Sequence, residues 1–375
     1  MKWTYNPTPS KFNFTDNQIL IKTVIGDTLS VNMFLDLGAS KSLMFMDSSF
    51  QKFFSKQNIV PLPMKVGTAD GKKIHLNASC FGNMSTHFIN IANSFILIKD
   101  GQNTLPCDKF QGIWGADLFV SGPSNENRNK VLVISMQDST ISVLDSLPDI
   151  ENWSLVETKF NGLSSAFYLK MRVGSKSFYF LFDTGNSGNI IMKKSDFNSA
   201  NPKLISDAKK YYGNIVRTAS GSIYDTAFEY SRSVSITDKL SIDSVPIRLM
   251  KSIDKNNIGM EFIKRFNIII DYQKKNIYLQ PNRNYKLGKT SFFIVKGFKP
   301  TRAINNSFII QALSIESPAT EAGLKIGDQI ISINGLRVDS VDICEIDNLF
   351  KDLDSNSSNN EITVKRGDEI LKFIL

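Results

Sequence analysis

Phe34-Leu35-Asp36-Leu37-Gly38-Ala39-Ser40 is answered, 147 positions later, by Leu181-Phe182-Asp183-Thr184-Gly185-Asn186-Ser187. In each stretch an apolar strand delivers one aspartate into a glycine turn, with a small or polar residue and then a serine behind it. A carboxylate at the end of a hydrophobic strand is costly to bury, so one instance already points toward function. Two instances in one repeated framework point to carboxylates built to face each other. The copies differ at one place that matters: Leu37 stands where the second copy has Thr184.

The repeat extends outward from these turns. Downstream of Asp36 runs Val66-Gly67-Thr68-Ala69-Asp70-Gly71-Lys72, and downstream of Asp183 runs Val216-Arg217-Thr218-Ala219-Ser220-Gly221-Ser222. Both contain Thr-Ala-x-Gly, and a glycine that accepts positive φ at such a tip is hairpin chemistry. Next come Ile113-Trp114-Gly115-Ala116-Asp117 and Asn257-Ile258-Gly259-Met260-Glu261, each with a glycine ahead of a short helical turn. Each copy closes with a strand pair, over 131–144 and 267–280. Four matched features in the same order mark an internal duplication.

Short β-branched and aromatic runs bounded by Gly, Asn, Asp and Pro dominate the chain, the pattern of an all-β protein. They predict strands over 18–24, 30–35, 94–98, 131–135 and 140–144, and again over 166–173, 177–182, 233–236, 266–271 and 276–279. Helices are expected over 47–54 and 203–211.

Composition narrows the function. With 375 residues, 42% hydrophobic and 21% charged, the chain has material for two or three domains with real cores. Its net charge of +8 comes from scattered lysines and arginines, with no basic block for nucleic acid. No apolar run approaches the roughly 20 residues of a membrane-spanning helix. The first 20 residues lack a signal peptide's apolar core, which leaves a cytoplasmic location or a removed leader open. Cys80, Cys107 and Cys344 form no CxxC pair, so neither a disulfide framework nor a zinc site is expected. His75 and His87, the two histidines, flank no nucleophile elbow.

The pattern changes near residue 290. Phe308-Ile309-Ile310-Gln311-Ala312-Leu313 reads as a strand. After it, Ser317-Pro318-Ala319-Thr320-Glu321-Ala322-Gly323-Leu324-Lys325-Ile326-Gly327-Asp328 reads as a helical turn opening on proline, a glycine stop and a tight Gly-Asp turn. Residues 338–350 are expected to be helical. Residues 361–366 and 370–375 are expected to form a terminal hairpin around Gly367-Asp368.

On these residues the segment from about 15 to 282 resembles the pepsin and retropepsin clan of aspartic proteases, with both lobes fused in one chain. The segment from about 290 to 375 is similar to a PDZ domain of the bacterial protease-associated kind, which carries the SPA-x-x-AGL-x-x-GD run. The resemblance implies an all-β-dominated fold of two duplicated retropepsin-like β-barrel lobes, over 1–150 and 151–285, and a small α+β PDZ domain over 286–375. It implies an aspartic-type endopeptidase of extended or unfolded protein substrates, working without metal or cofactor, in the periplasm or cell envelope. Since one chain holds both Asp turns, no dimer is required.

Residue by residue, the resemblance makes Asp36 and Asp183 the catalytic dyad, supported by Gly38, Ser40, Thr184, Gly185 and Ser187. Thr68, Ala69, Asp70 and Gly71, with Thr218, Ala219, Ser220 and Gly221, become flap tips closing over an extended peptide. In the family the hydroxyl after each aspartate braces the opposite turn; Thr184 can do this and Leu37 cannot. A second reading keeps the lobes as a non-catalytic binding scaffold, with Asp36 capping its own turn. For the C-terminal module, Gly297, Phe298, Phe308 and Ile310 are the candidate peptide-binding residues. Capture of a chain's C-terminal carboxylate and a purely structural role both remain open for that module.

Overall fold

The computed structural model describes residues 2–26, 28–46, 62–67, 72–80, 83–92, 95–100, 110–120, 130–201, 208–218, 221–286, 295–302, 307–341, 349–350, 353 and 359–375. Among these, strands dominate and helices are short, such as Asp117–Val120, Lys194–Ala200, Met260–Ile263 and Pro318–Glu321. Three sheets of eleven, six and fourteen strands hold the described chain. The two large ones curl, as open twisted sheets beyond about ten strands must.

Most strands fall where alternation of apolar and polar residues predicts them. Gln18–Ile25, Leu29–Asp36, Phe95–Asp100, Val131–Ser135, Thr140–Leu144, Ala166–Val173, Lys176–Phe182, Phe266–Asp271 and Asn276–Pro281 agree with expectation to within two residues at either end. The expected strand over 233–236 is the end of a longer one, Gly221–Thr237. The helix expected over 47–54 lies outside the described residues.

The helix expected over 203–211 is corrected in its described part. Lys209–Thr218 is a strand, and the helix nearby is Lys194–Ala200, which buries Phe197 and Ala200. Tyr211, Gly213 and Ile215 are buried while their neighbours are half-exposed, a period of two that suits a strand. In the C-terminal segment, where a helix is expected over 338–350, Val338–Ser340 is a single 3-10 turn, Val341 is extended, 342–348 lie outside the described residues, and 349–350 are helical. The terminal hairpin pairs Glu361–Arg366 with Glu369–Ile374 around Gly367-Asp368 as expected.

The same pairing order surrounds both Asp turns. Leu29–Asp36 runs parallel to Gly112–Gly115, which runs antiparallel to Leu43–Met46, which runs parallel to Phe95–Asp100. Lys176–Phe182 runs parallel to Asn257–Ile258, which runs antiparallel to Ile190–Lys193, which runs parallel to Leu240–Met250. The six-stranded sheet stitches the two regions together. Val131–Ser135 pairs with Thr140–Leu144 on one edge and with Phe266–Asp271 on the other. One continuous apolar core runs from Phe12 to Leu279.

A second core, from Phe298 to Leu375, belongs to the C-terminal unit. The two are joined by main-chain pairing. Tyr211, Tyr212 and Gly213 pair with Ser314, Leu313 and Ala312, so the fourteen-stranded sheet continues from one unit into the other. Gly213, at φ +119°, lets the strands approach this closely: a Cβ there would run into the Gln311 carbonyl and the Ala312 backbone.

Candidate active site

Each aspartate is positioned by its strand and held by the glycine of a neighbouring one. Gly115 sits opposite Asp36 in register, and Asp183 donates its N–H to the Ile258 carbonyl just before Gly259. A side chain at Gly115 would strike the Lys41 carbonyl, and one at Gly259 the carbonyls of Asn186 and Gly188. Glycine at both places lets the next N–H clasp the Asp turn. Ala116 donates to the Ala39 carbonyl at 2.9 Å, and Met260 to the Asn186 carbonyl at 2.6 Å. These are the two Gly loops the sequence matched.

The turns oppose each other, each setting its glycine against the other's carboxyl group. A Cβ at Gly38 would collide with the Asp183 carboxyl, and one at Gly185 with the Asp36 carboxyl. Within its own turn, Asp36 Oδ1 accepts from the N–H groups of Gly38 (3.0 Å) and Ala39 (2.9 Å). Asp183 Oδ1 accepts from Gly185 (3.0 Å) and Asn186 (3.1 Å). Both aspartates are half-buried.

Desolvation pushes the Asp36 carboxyl well above the usual carboxylate range, and the neighbouring Asp183 charge pushes the same way. Desolvation also raises Asp183. Hydrogen bonds from the Asn257 amide, Asp36 and two backbone N–H groups oppose that rise. Two carboxyls this close cannot both ionise freely, so they titrate as a pair that holds a proton.

Thr184 is fully buried and braces the opposite turn. Its hydroxyl accepts from the Leu37 N–H and donates to the Leu35 carbonyl, both at 2.8 Å. Leu37 is buried in the main core and has no hydroxyl to return the brace. Ser40 is half-buried and Ser187 exposed; the Ser187 carbonyl accepts from Asn17 Nδ2. Beside the first turn, Ser42 donates to Asp117 and accepts from the Gly115 N–H.

The sequence places Asn186 in the second Asp turn, but the role of Asn257 escapes its reading. Asn257 donates its amide to Asp183 Oδ2, and Asn186 donates to Asn257 Oδ1 at 2.7 Å. Asn257 occupies an apolar position of the Gly-loop pattern, where Ile113 stands in the first copy. That interruption was the available signal.

Of the expected flap residues, Thr68, Ala69, Asp70, Gly71, Ala219 and Ser220 lie outside the described residues. Thr218 pairs with Gly221 at the end of the Lys209–Thr218 and Gly221–Thr237 hairpin, and its hydroxyl donates to the Gly221 carbonyl. Gly221 has φ +126°, as a hairpin glycine should.

In the C-terminal unit, Gly297 (φ +90°) follows Lys296 (φ +66°) in a tight turn, and a side chain at Gly297 would collide with Ser317. The Phe298–Arg302 strand follows and pairs along the Phe308–Ser314 strand. Phe298, Phe308 and Ile310 are core residues there, so their side chains pack inward and only the strand's backbone is offered to a peptide. Ser317 caps the Pro318–Glu321 helix in a capping box with Thr320, Gly323 stops it at φ +95°, and Gly327 turns at φ +92°.

Residues 309–372 match the PDZ domain family model, and this part of the chain is a PDZ domain. No curated protein matches the chain. Among solved structures it is similar to that of conglutin gamma, a basic 7S globulin from lupine seeds. The identity is 12% and the TM-score 0.44, over 70% of this chain and 90% of that one. Among the described residues, no helix is long and apolar enough to cross a membrane.

Proposed function

We propose that the chain is an aspartic-type endopeptidase whose PDZ domain recruits a peptide segment of its substrate or partner. The observation that supports this most is the direct opposition of the Asp36 and Asp183 carboxyl groups across two glycine turns. One carboxyl acts as base and draws a proton from a water, whose oxygen attacks the scissile carbonyl carbon. The other, protonated, passes its proton to the carbonyl oxygen. Neither covalent intermediate nor cofactor is needed. The duplicated pairing order around both turns fits two retropepsin-like lobes fused in one chain.

The PDZ domain supports peptide binding. The Phe298–Arg302 strand pairs on one edge with Phe308–Ser314, and adding a peptide to its other edge would extend the sheet.

Leu37 favours a second reading, a protease-derived scaffold that binds peptides without cutting them, because one of the two braces is missing. A peptide library exposed to the full chain between pH 3 and 8 separates the two. Cleavage that disappears in Asp36→Asn and Asp183→Asn upholds the peptidase. A library left intact by the wild-type chain, yet retained by it, upholds the scaffold. For the PDZ domain, equal binding of free-carboxylate and amidated peptides would reject carboxylate capture.

A further inference from the structure

The two Asp turns share their backbone plan but not the side chains that meet the carboxyl groups. Two residues before each aspartate, the parallel neighbour places Ile113 beside Phe34 in the first turn and Asn257 beside Leu181 in the second. Three residues after each aspartate stand Ala39 and Asn186. Two amides therefore meet only at the second turn. The Gly188 N–H donates to Asn186 Oδ1 at 2.9 Å, Asn186 Nδ2 donates to Asn257 Oδ1 at 2.7 Å, and Asn257 Nδ2 donates to Asp183 Oδ2. An amide has one accepting and one donating end. With the Asn257 oxygen held by Asn186, its NH2 is the end that faces Asp183. The side chains of Ala39 and Ile113 offer Asp36 no donor.

We infer that the Asn186–Asn257 amide pair is a positioning device that makes the two aspartates unequal, holding Asp183 as the base and leaving Asp36 as the acid. This deepens the peptidase reading and rests on it. A donor on Oδ2 favours the carboxylate over the carboxylic acid, and Asp183 Oδ1 already accepts two N–H groups. Asp36 Oδ1 is likewise occupied, but among the described residues no side-chain amide meets its Oδ2, which is left to hold the shared proton. Each aspartate is an ionisable neighbour that acts on the other. In the forward step a water proton passes to Asp183 as the water oxygen bonds to the carbonyl carbon. The Asp36 proton passes to the carbonyl oxygen as the C=O π bond opens, so atoms and charge balance. The device also offers a reason why a dyad with one missing brace can keep its geometry: the second turn is fixed from its own side.

The test is a carboxyl-carbon NMR titration of the full chain, in wild type, Asn257→Leu and Asn186→Ala, alongside the pH profile of peptide cleavage. In Asn257→Leu the lower of the pair's two midpoints should rise by about one pH unit and the two should draw together. The kcat should fall roughly tenfold or more with KM nearly unchanged. Asn186→Ala should shift the same midpoint in the same direction by less. If Asn257→Leu does not fold, Asn186→Ala carries the test. Titrations in the folded variants that superpose on the wild type overturn the inference. Midpoints that converge in the variants while the wild type cuts no peptide uphold the amide pair and reject the peptidase reading.

Discussion

Thr184 and Leu37 are tied across the two Asp turns by one hydrogen bond of 2.8 Å, from the Leu37 N–H to the Thr184 hydroxyl, and no bond can run back from the leucine side chain. The hydroxyl also donates to the Leu35 carbonyl, so Thr184 satisfies two buried backbone groups of the opposite turn. Thr184→Val keeps the shape and removes both bonds. Stability should fall by about 2–3 kcal/mol, since each stranded buried group costs on the order of 1 kcal/mol or more. A drop of several degrees in Tm by calorimetry is expected. Peptide cleavage should fall on the order of 100-fold if the turns shift by about 1 Å.

The complementary change separates stability from activity. Leu37 is buried in the main core, so Leu37→Thr removes apolar contacts and should cost about 2 kcal/mol. It also supplies the hydroxyl that Thr184 lacks as a counterpart. Lower Tm together with higher kcat is the expected outcome. Lower Tm with unchanged kcat would mean that the missing brace never limited the dyad.

The paired carboxyls predict a pH-dependent stability with a definite sign. Burial raises Asp36 well above the ordinary carboxylate range. A carboxyl with a raised folded value contributes stability fully below its unfolded value of about 4 and loses it as pH climbs through the folded value. Asp36→Asn removes the share of this loss that Asp36 contributes. Denaturant melts at pH 4 and pH 7 should show the wild type weakening relative to Asp36→Asn at the higher pH. A constant difference between the two proteins would contradict the buried pairing.

Gly213 predicts how firmly the PDZ domain is held. With φ at +119° and the Gln311 carbonyl and Ala312 backbone against its α-carbon, Gly213→Val is excluded both by backbone conformation and by space. The Lys209–Thr218 pairing with Phe308–Ser314 should separate, at a cost of at least about 2 kcal/mol. Hydrogen exchange should report it at the Ile315 amide, which donates to the Lys210 carbonyl at 2.8 Å. Full protection there in Gly213→Val would show that the sheet is not held by this contact.

Within the PDZ domain, Asp328 of the Gly-Asp turn is almost wholly buried and receives both arms of Arg366 at 2.7 Å, while Arg366 also donates to the Gly323 carbonyl. Arg366→Met leaves that carboxylate with the Lys325 N–H but no countercharge. A loss of about 3–5 kcal/mol follows from stranding a buried charge. The loss should appear as an early thermal transition confined to the PDZ core, with the Phe12–Leu279 core melting later.

What could be read along the chain is what local chemistry dictates. Pro318, Gly323, Gly327 and Asp328 announce a helix start, a stop and a turn, and the structure puts each at that place. Leu29–Asp36 and Lys176–Phe182 alternate as strands must, and the Asp-x-Gly repeat brings Asp36 and Asp183 into view as a pair. The misreading of 203–211 as helix has a physical cause. The Lys209–Thr218 strand is held on one edge by its hairpin partner Gly221–Thr237 and on the other by Phe308–Ser314, about a hundred positions away, and that second neighbour is not visible in a local window.

The sequence by itself determined most of the strands and the two glycine turns, because φ preference and burial period act within a few residues, and its SPA-x-x-AGL-x-x-GD run made the PDZ module legible. Only the tertiary structure decided which groups meet. The six-stranded sheet joins Val131–Ser135 to Phe266–Asp271, Thr184 reaches Leu37 across 147 positions, and Asn257 reaches the Asp183 carboxyl across 74. Such contacts depend on side-chain direction and sheet register, which become defined once distant strands have paired. The balance between the two aspartates is therefore a property of the assembled turns, and neither Asp turn carries it alone.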